Sequence, residues 1–286
     1  MNYSMEDTRR GATDVGRLLE SKQLRANTSK SKFVIIGTES SRTEMLKDAE
    51  SNPVMMGETV IENSECEKYL GDMIHEKGCA ASITATIKAR KKGAIEATRN
   101  IINDLNHPAL RGHKMAEVAV TEYASKVTSK LISNCESWID ITEDHIDELQ
   151  NMQDNFFKNV FHVRPEGTPL CMVRLDSQTL HVRYQILQRK INRIRKIMDS
   201  DQTNTARKSL IEGQKTCAEG DLLTECIEWC KKFKIRCVTR GTNPIKDKAK
   251  YDEFMLKKGL WKENDKEIKI EKDKLSKVRD IPMPTK

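Results

Sequence analysis

The chain has 286 residues, a formal net charge of +7 and a pI near 8.9, with 33% charged and 37% hydrophobic residues. That length carries one large domain or two ordinary ones, and the charge, above the usual quarter of residues, limits the core to a modest share of the chain. The basic excess permits a nucleic-acid partner without requiring one, and aromatics at 5% exclude an extensive base-stacking platform.

No apolar run approaches the roughly 20 residues of a membrane helix. Residues Met1 to Arg10 are polar and lack the apolar stretch of a signal peptide. The chain is therefore expected to be soluble and intracellular, with no membrane partner. Eight cysteines at irregular spacings fit small buried hydrophobes in a reducing compartment.

In chain order, Gly11 to Ala26 is predicted helical, with Val15, Leu18, Leu19 and Leu24 as its apolar face. The β-branched run Lys32 to Thr38, closed by Gly37, predicts a strand. Ser40 to Met55 has no clear period and contains Pro53, which predicts irregular structure. Thr59 to Ile61 and Lys68 to Ile74 predict two strands, with Asn63-Ser64-Glu65 as the turn between them.

After Gly78 the period becomes helical. Ser82 to Asn106 carries Ile83, Ile87, Ala94, Ile101 and Leu105, and His107-Pro108 ends it. A second helix is predicted from Gly112 to Ser137, and a third from Thr142, whose Glu143 and Asp144 suit a helix N-terminus. In the third helix Ile146, Leu149, Gln153, Phe156 and Val160 form one stripe. A fourth, Leu180 to Met198, has three-and-four apolar spacing that packs a bundle or seeds a coiled coil. Shorter helices follow at Thr205 to Gln214 and Asp221 to Phe233, and a Lys/Glu/Asp-rich tail runs from Lys246.

This order predicts an α+β fold, mostly α: a small strand and β-hairpin piece followed by a helical bundle. The expected divisions are 1–78, 79–200, 201–245 and a loosely ordered tail, 246–286.

Two segments carry a family resemblance. Ser21-Lys22-Gln23-Leu24-Arg25-Ala26-Asn27-Thr28-Ser29-Lys30-Ser31-Lys32, leading into Phe33-Val34-Ile35-Ile36-Gly37-Thr38, resembles the helix, Asn-x-x-Lys-Ser/Thr turn and strand after the catalytic turn of LINE-type (non-LTR) retrotransposon reverse transcriptases. Lys68-Tyr69-Leu70-Gly71-Asp72-Met73-Ile74, with Gly78 and Ala81-Ser82-Ile83, is similar to that family's primer-grip hairpin and the start of its thumb. Glu136-Ser137-Trp138, Leu149-Gln150 to Phe157 and Thr168-Pro169 match further on. The resemblance spans roughly residues 5 to 240, and it implies a palm edge followed by a thumb.

One departure bears on activity. The family's Tyr/Phe-x-Asp-Asp turn is expected a few residues before Met1, and no Asp-Asp dipeptide occurs in this chain. Two-metal phosphoryl transfer needs converging carboxylates, so any Mg²⁺ belongs to a catalytic centre outside this sequence. The chain is expected to be inactive alone, with no catalytic residue and no cofactor of its own. Glu6-Asp7 is read as a helix-start pair.

The remaining site candidates follow from the resemblance, each beside a plainer reading. Lys30 matches the family's turn lysine near the incoming nucleotide, and an exposed turn lysine would look the same. Tyr69, Leu70 and Gly71 match the primer grip, and Tyr69 and Leu70 also suit packing of the hairpin onto the thumb. Lys88, Lys91, Lys92 and Arg99 fall near one face of the first thumb-like helix, where they would meet duplex phosphates or simply water. Arg183, Arg189, Lys190, Arg193, Arg195 and Lys196 form a second basic helix, read as a solvated face. Cys226 and Cys230, with Cys217 and Cys237, fit a zinc site only loosely and suit one buried helix face better, so no metal site is expected.

Three functions stay open on the sequence. The first is a reverse transcriptase remnant holding an RNA/DNA primer–template duplex through its phosphates. The second is a helical protein–protein interaction module. The third is part of a complete polymerase gene.

Overall fold

In a computed structural model of the chain, residues 4–27, 30–106, 113–163, 179–216 and 222–233 are described, with Val173, Arg174, Ser177 and a few positions between 262 and 270 besides. The fold is α+β and mostly helical, as the periodicities predict. It forms two compact units, Met1–Ala89 and Arg90–Lys286. The expected boundary at Gly78 meets the start of a long helix, and the division between units falls inside that helix.

The first unit opens with α1 (Met5–Ser21). Ser4 caps it: the Asp7 amide donates to Ser4 Oγ at 3.1 Å, and the Ser4 amide donates to Asp7 Oδ2 at 3.1 Å. Glu6 and Asp7 thus occupy a helix start. A three-stranded sheet follows, ordered β1-β3-β2, from β1 (Lys32–Phe33), β2 (Val54–Met56) and β3 (Thr59–Asn63). β1 runs parallel to β3 with Lys32 opposite Glu62, and β2 runs antiparallel with Val54 opposite Ile61. Met5, Ile35, Val54 and Ile61 form the buried core beneath it.

Gly16 and Gly57 let α1 approach the β2–β3 turn. A Cβ on Gly16 would lie 2.4 Å from the Gly57 amide nitrogen, and Gly57 itself has φ +63°.

Two predictions need correction here. Residues expected to be irregular form α2 (Glu39–Ser51), capped by Thr38. Its core contacts are the half-buried Met45, Leu46 and Ala49 and none of its residues is fully buried, so no apolar stripe marks it in the sequence. The turns also lie elsewhere. Asn63-Ser64-Glu65 links two different sheets. The hairpins close at Gly57-Glu58 and at Leu70-Gly71, so the run expected as one strand from Lys68 splits into β4 (Cys66–Tyr69) and β5 (Asp72–His75). β1 is also shorter than predicted, with two paired residues.

Helix α3 (Cys79–Leu105) spans 27 residues. In the second unit, α4 (His113–Glu122) passes through a π-helical turn (Tyr123–Thr128) into a short α5 (Ser129–Leu131), and a 3-10 turn follows at Cys135–Ser137. The single helix expected over 112–137 is interrupted for a physical reason. Tyr123, Val127, Leu131 and Cys135 recur every four residues, a longer repeat than the 3.6 of an α-helix. The wider π turn keeps Tyr123 and Val127 on the buried side.

Thr142 starts α6 (Glu143–Val160) as predicted, with His145 completing its capping box. Phe156 and Phe157 of α6 pack on Tyr123, at ring separations of 4.5 and 5.4 Å. Helix α7 (Val182–Met198) then packs with α8 (Thr205–Thr216) and α9 (Leu222–Lys232). Its three-and-four stripe, Tyr184, Leu187, Ile191 and Ile194, is buried against Leu210, Leu223, Cys226 and Cys230. That spacing serves intramolecular packing.

A buried polar network joins α6 to the chain before α7. Arg174 Nη2 lies 3.1 Å from Asp154 Oδ2, and Gln150 Oε1 accepts from the Val182 amide at 2.8 Å. Gln153 donates to Thr179 Oγ1 and to the Leu180 carbonyl. Among the described residues, no helix is long and apolar enough to cross a membrane.

Candidate nucleic-acid interface

The β4–β5 hairpin turns through Leu70 at φ +48° and Gly71 at φ +95°. Two successive positive φ values are what a two-residue type I′ turn requires, and they match the twist of the strands. Glycine adopts this region without penalty. Leucine does not, and its Cβ contact costs roughly 1–2 kcal/mol. Leu70 is 79% and Tyr69 63% exposed. Lys68 beside them is exposed as well.

The base of the hairpin is held by side chains of α3. Thr86 Oγ1 accepts from the Met73 amide at 2.8 Å, and Ser82 Oγ accepts from the His75 amide at 2.9 Å while donating to the Gly78 carbonyl. These hydroxyls occupy the edge of β5 that a further strand would otherwise pair. Arg42 of α2 adds an ion pair to the buried Glu76 at 3.4 Å. The tip is thus a projecting feature on a fixed base.

The expected basic stretch of α3 divides by role. Lys88, Lys92 and Arg99 are exposed. At positions i, i+4 and i+11 they fall on one side of the helix. Lys91 is half-buried and committed to Glu148 of α6, with Nζ to Oε1 at 2.7 Å. Arg90 serves the fold: it donates to the Leu131 carbonyl at 3.3 Å and the Ser133 carbonyl at 2.7 Å, and lies over the Trp138 ring. This contact explains Trp138 without assigning it to a ligand.

Lys30 is exposed on the turn before β1, its amide donating to the Asn27 carbonyl at 3.0 Å. Among the described residues, no ion pair or side-chain hydrogen bond joins it to the hairpin.

The second basic helix is a solvated face only in part: Arg193 and Lys196 are exposed, and three other cations turn inward. Arg183 pairs with Glu143 and lies over Phe233, and Arg189 donates to the Ile132 carbonyl. Lys190, 1% exposed, binds Glu225 at 2.7 Å beneath Trp229. Burial raises the Glu225 pKa, and Lys190 opposes that rise.

Cys226 and Cys230 are buried in the α7–α9 core, and Cys217 and Cys237 lie outside the described residues. Among the described residues, no group of three or more His, Cys, Asp or Glu side chains could hold a metal ion. Asp7 is engaged at its helix cap, where hydrogen bonds from Ser4 lower its pKa. A two-Mg²⁺ centre needs converging carboxylates, and no such group lies among the described residues.

Sequence reasoning missed Thr86 and took Ser82 only as the start of the helix and of the thumb-like segment. The available signal was a Ser-x-x-x-Thr pair in the first turns of a helix that directly follows a strand.

No family model, curated protein or solved structure matches the chain.

Proposed function

We propose that this chain is a palm-edge and thumb segment of a LINE-type reverse transcriptase, which holds a primer–template duplex through its phosphates and does not polymerise on its own. The observation that carries this reading is the hairpin tip. A leucine held in a strained, left-handed conformation and left exposed is a poor choice for folding. Strain of this kind persists where the surrounding structure enforces it, and it concentrates at ligand-contacting sites.

The α3 cations supply the affinity. Lys88, Lys92 and Arg99 present point charges and a guanidinium to a phosphate chain, while the hairpin tip offers backbone groups and an aromatic face. Nothing in this set reads base edges, so the affinity is independent of sequence. Lys91, held by Glu148, makes a smaller contribution than its neighbours.

Fluorescence anisotropy of the whole chain with a labelled RNA–DNA hybrid at low salt tests the proposal. Saturable binding is expected, weakened by K88A/K92A/R99A and little changed by K91A. An absence of binding at low salt, or equal binding by the triple variant, retires it.

A further inference from the structure

The carboxylate of Glu148 singles out one cation of the α3 basic stretch. Lys91 Nζ lies 2.7 Å from Glu148 Oε1, and the pair bridges 57 residues of sequence. Their side chains are 44% and 39% exposed, so the pair stands where a ligand can reach it. Among the described residues Glu148 meets no other cation, and Lys88, Lys92 and Arg99 have no acidic partner. Lys91 follows Lys88 by three residues and so borders the side of the helix that carries these free charges.

Both ends of the pair stand on fixed backbone. On α3, Arg90 is held by the Leu131 and Ser133 carbonyls, and Ala94 is fully buried. On α6, the Thr142–His145 cap fixes the first turn, and Ile146 and Leu149 are buried near Glu148. The ammonium and the carboxylate therefore meet without the ordering of either helix, and only side-chain freedom is lost.

We infer that Glu148 sets the strength of duplex binding by withholding Lys91 from the phosphates. This rests on the nucleic-acid reading and deepens it. The carboxylate imitates a phosphate oxygen and offers the ammonium the same charge-assisted hydrogen bond from within the chain. A duplex contact at Lys91 must first open that pair, and the opening costs about as much as one exposed contact returns. Affinity then falls to Lys88, Lys92 and Arg99, and the chain grips a duplex less tightly than its charge allows.

The test is anisotropy with a labelled RNA–DNA hybrid across a salt series, on the whole chain and on E148Q, E148A, K91A, E148Q/K91A and E96Q. Glu148→Gln should tighten binding about fivefold at low salt and steepen the slope of log K against log salt by about one unit. Glu148→Ala should do the same. Lys91→Ala should barely change the native chain, yet it should erase both gains in the double variant. Glu96 is exposed on α3 with no ion pair among the described residues, so E96Q measures the gain from removing a negative charge alone. Thermal melts establish that each variant is folded. A gain that survives in E148Q/K91A, or that E96Q equals, makes Glu148 a source of general repulsion and overturns the proposal. Unchanged or weaker binding by folded E148Q and E148A overturns it too, and leaves the duplex reading standing where the native chain binds. No hybrid binding by any of these proteins retires both.

Discussion

Thr86 Oγ1 accepts a hydrogen bond from the Met73 amide at 2.8 Å, and with it a helix side chain takes the place of a neighbouring strand. Thr86 is 1% exposed, so the contact is sealed from water. The hairpin is consequently positioned by α3 through defined atoms as well as by apolar packing.

Thr86→Val keeps the shape and removes the acceptor. It should destabilise the chain by roughly 1–3 kcal/mol, because a buried amide is left unpaired. The midpoint of urea unfolding measures the loss, and hydrogen exchange at Met73 should accelerate selectively. An unchanged exchange rate there would show that the hydroxyl does not hold the edge.

Leu70→Asn should act in two directions. Asparagine tolerates the left-handed region better than leucine, so the hairpin should gain up to about 1 kcal/mol. Duplex affinity should fall, since the exposed side chain is lost. Thermal unfolding and anisotropy on the same preparation separate the two effects. A variant that is more stable and binds equally well would remove the leucine from the interface.

Gly16→Ala places a methyl against the Gly57 backbone, within 2.4 Å of its amide nitrogen. Helix propensity alone favours alanine by about 1 kcal/mol. The clash is with backbone and should outweigh that gain, for a net loss of roughly 1–3 kcal/mol. Denaturant melts read the sign directly.

His181 predicts an acid-sensitive second unit. Burial, with Arg174 and Arg183 adding repulsion, pulls its pKa down to about 3 from an ordinary 6.5. In the unfolded chain it takes up a proton near the ordinary value, so between those limits the unfolded state binds more protons. Stability from this group is therefore complete above about pH 6.5 and declines as pH falls toward 3, by up to about 3–5 kcal/mol in all. His181→Asn keeps a capping side chain for α7 and should flatten that part of the pH–stability curve. An equally steep curve in the variant would assign the acid sensitivity to other groups.

What the sequence disclosed and what it hid divide along physical lines. Helices with a full apolar stripe were legible, α6 from its Thr142 cap and α7 from Tyr184, Leu187, Ile191 and Ile194. Helix α2 was not, because none of its residues is fully buried and its side chains are mostly polar. The Leu70-Gly71 turn was hidden because leucine is an unlikely residue for a left-handed position, and it was therefore read as strand. At the site, charge was visible and commitment was not. Lys91 and Lys92 are neighbours in sequence, yet one faces Glu148 and the other water. Arg90, Arg183 and Arg189 resembled surface charge and hold carbonyls or carboxylates instead. Such pairings depend on partners 40 or more residues distant, as with Arg183 and Glu143 or Lys91 and Glu148.

The salt dependence of hybrid binding tests the central claim most directly. About three phosphate contacts, from Lys88, Lys92 and Arg99, give a slope of log K against log salt of roughly −3, or about a 40-fold loss between about 50 and 200 mM salt. Each alanine at these positions should make the slope shallower by about one unit. A slope near zero, or one that the triple alanine variant leaves unchanged, would contradict phosphate binding by α3.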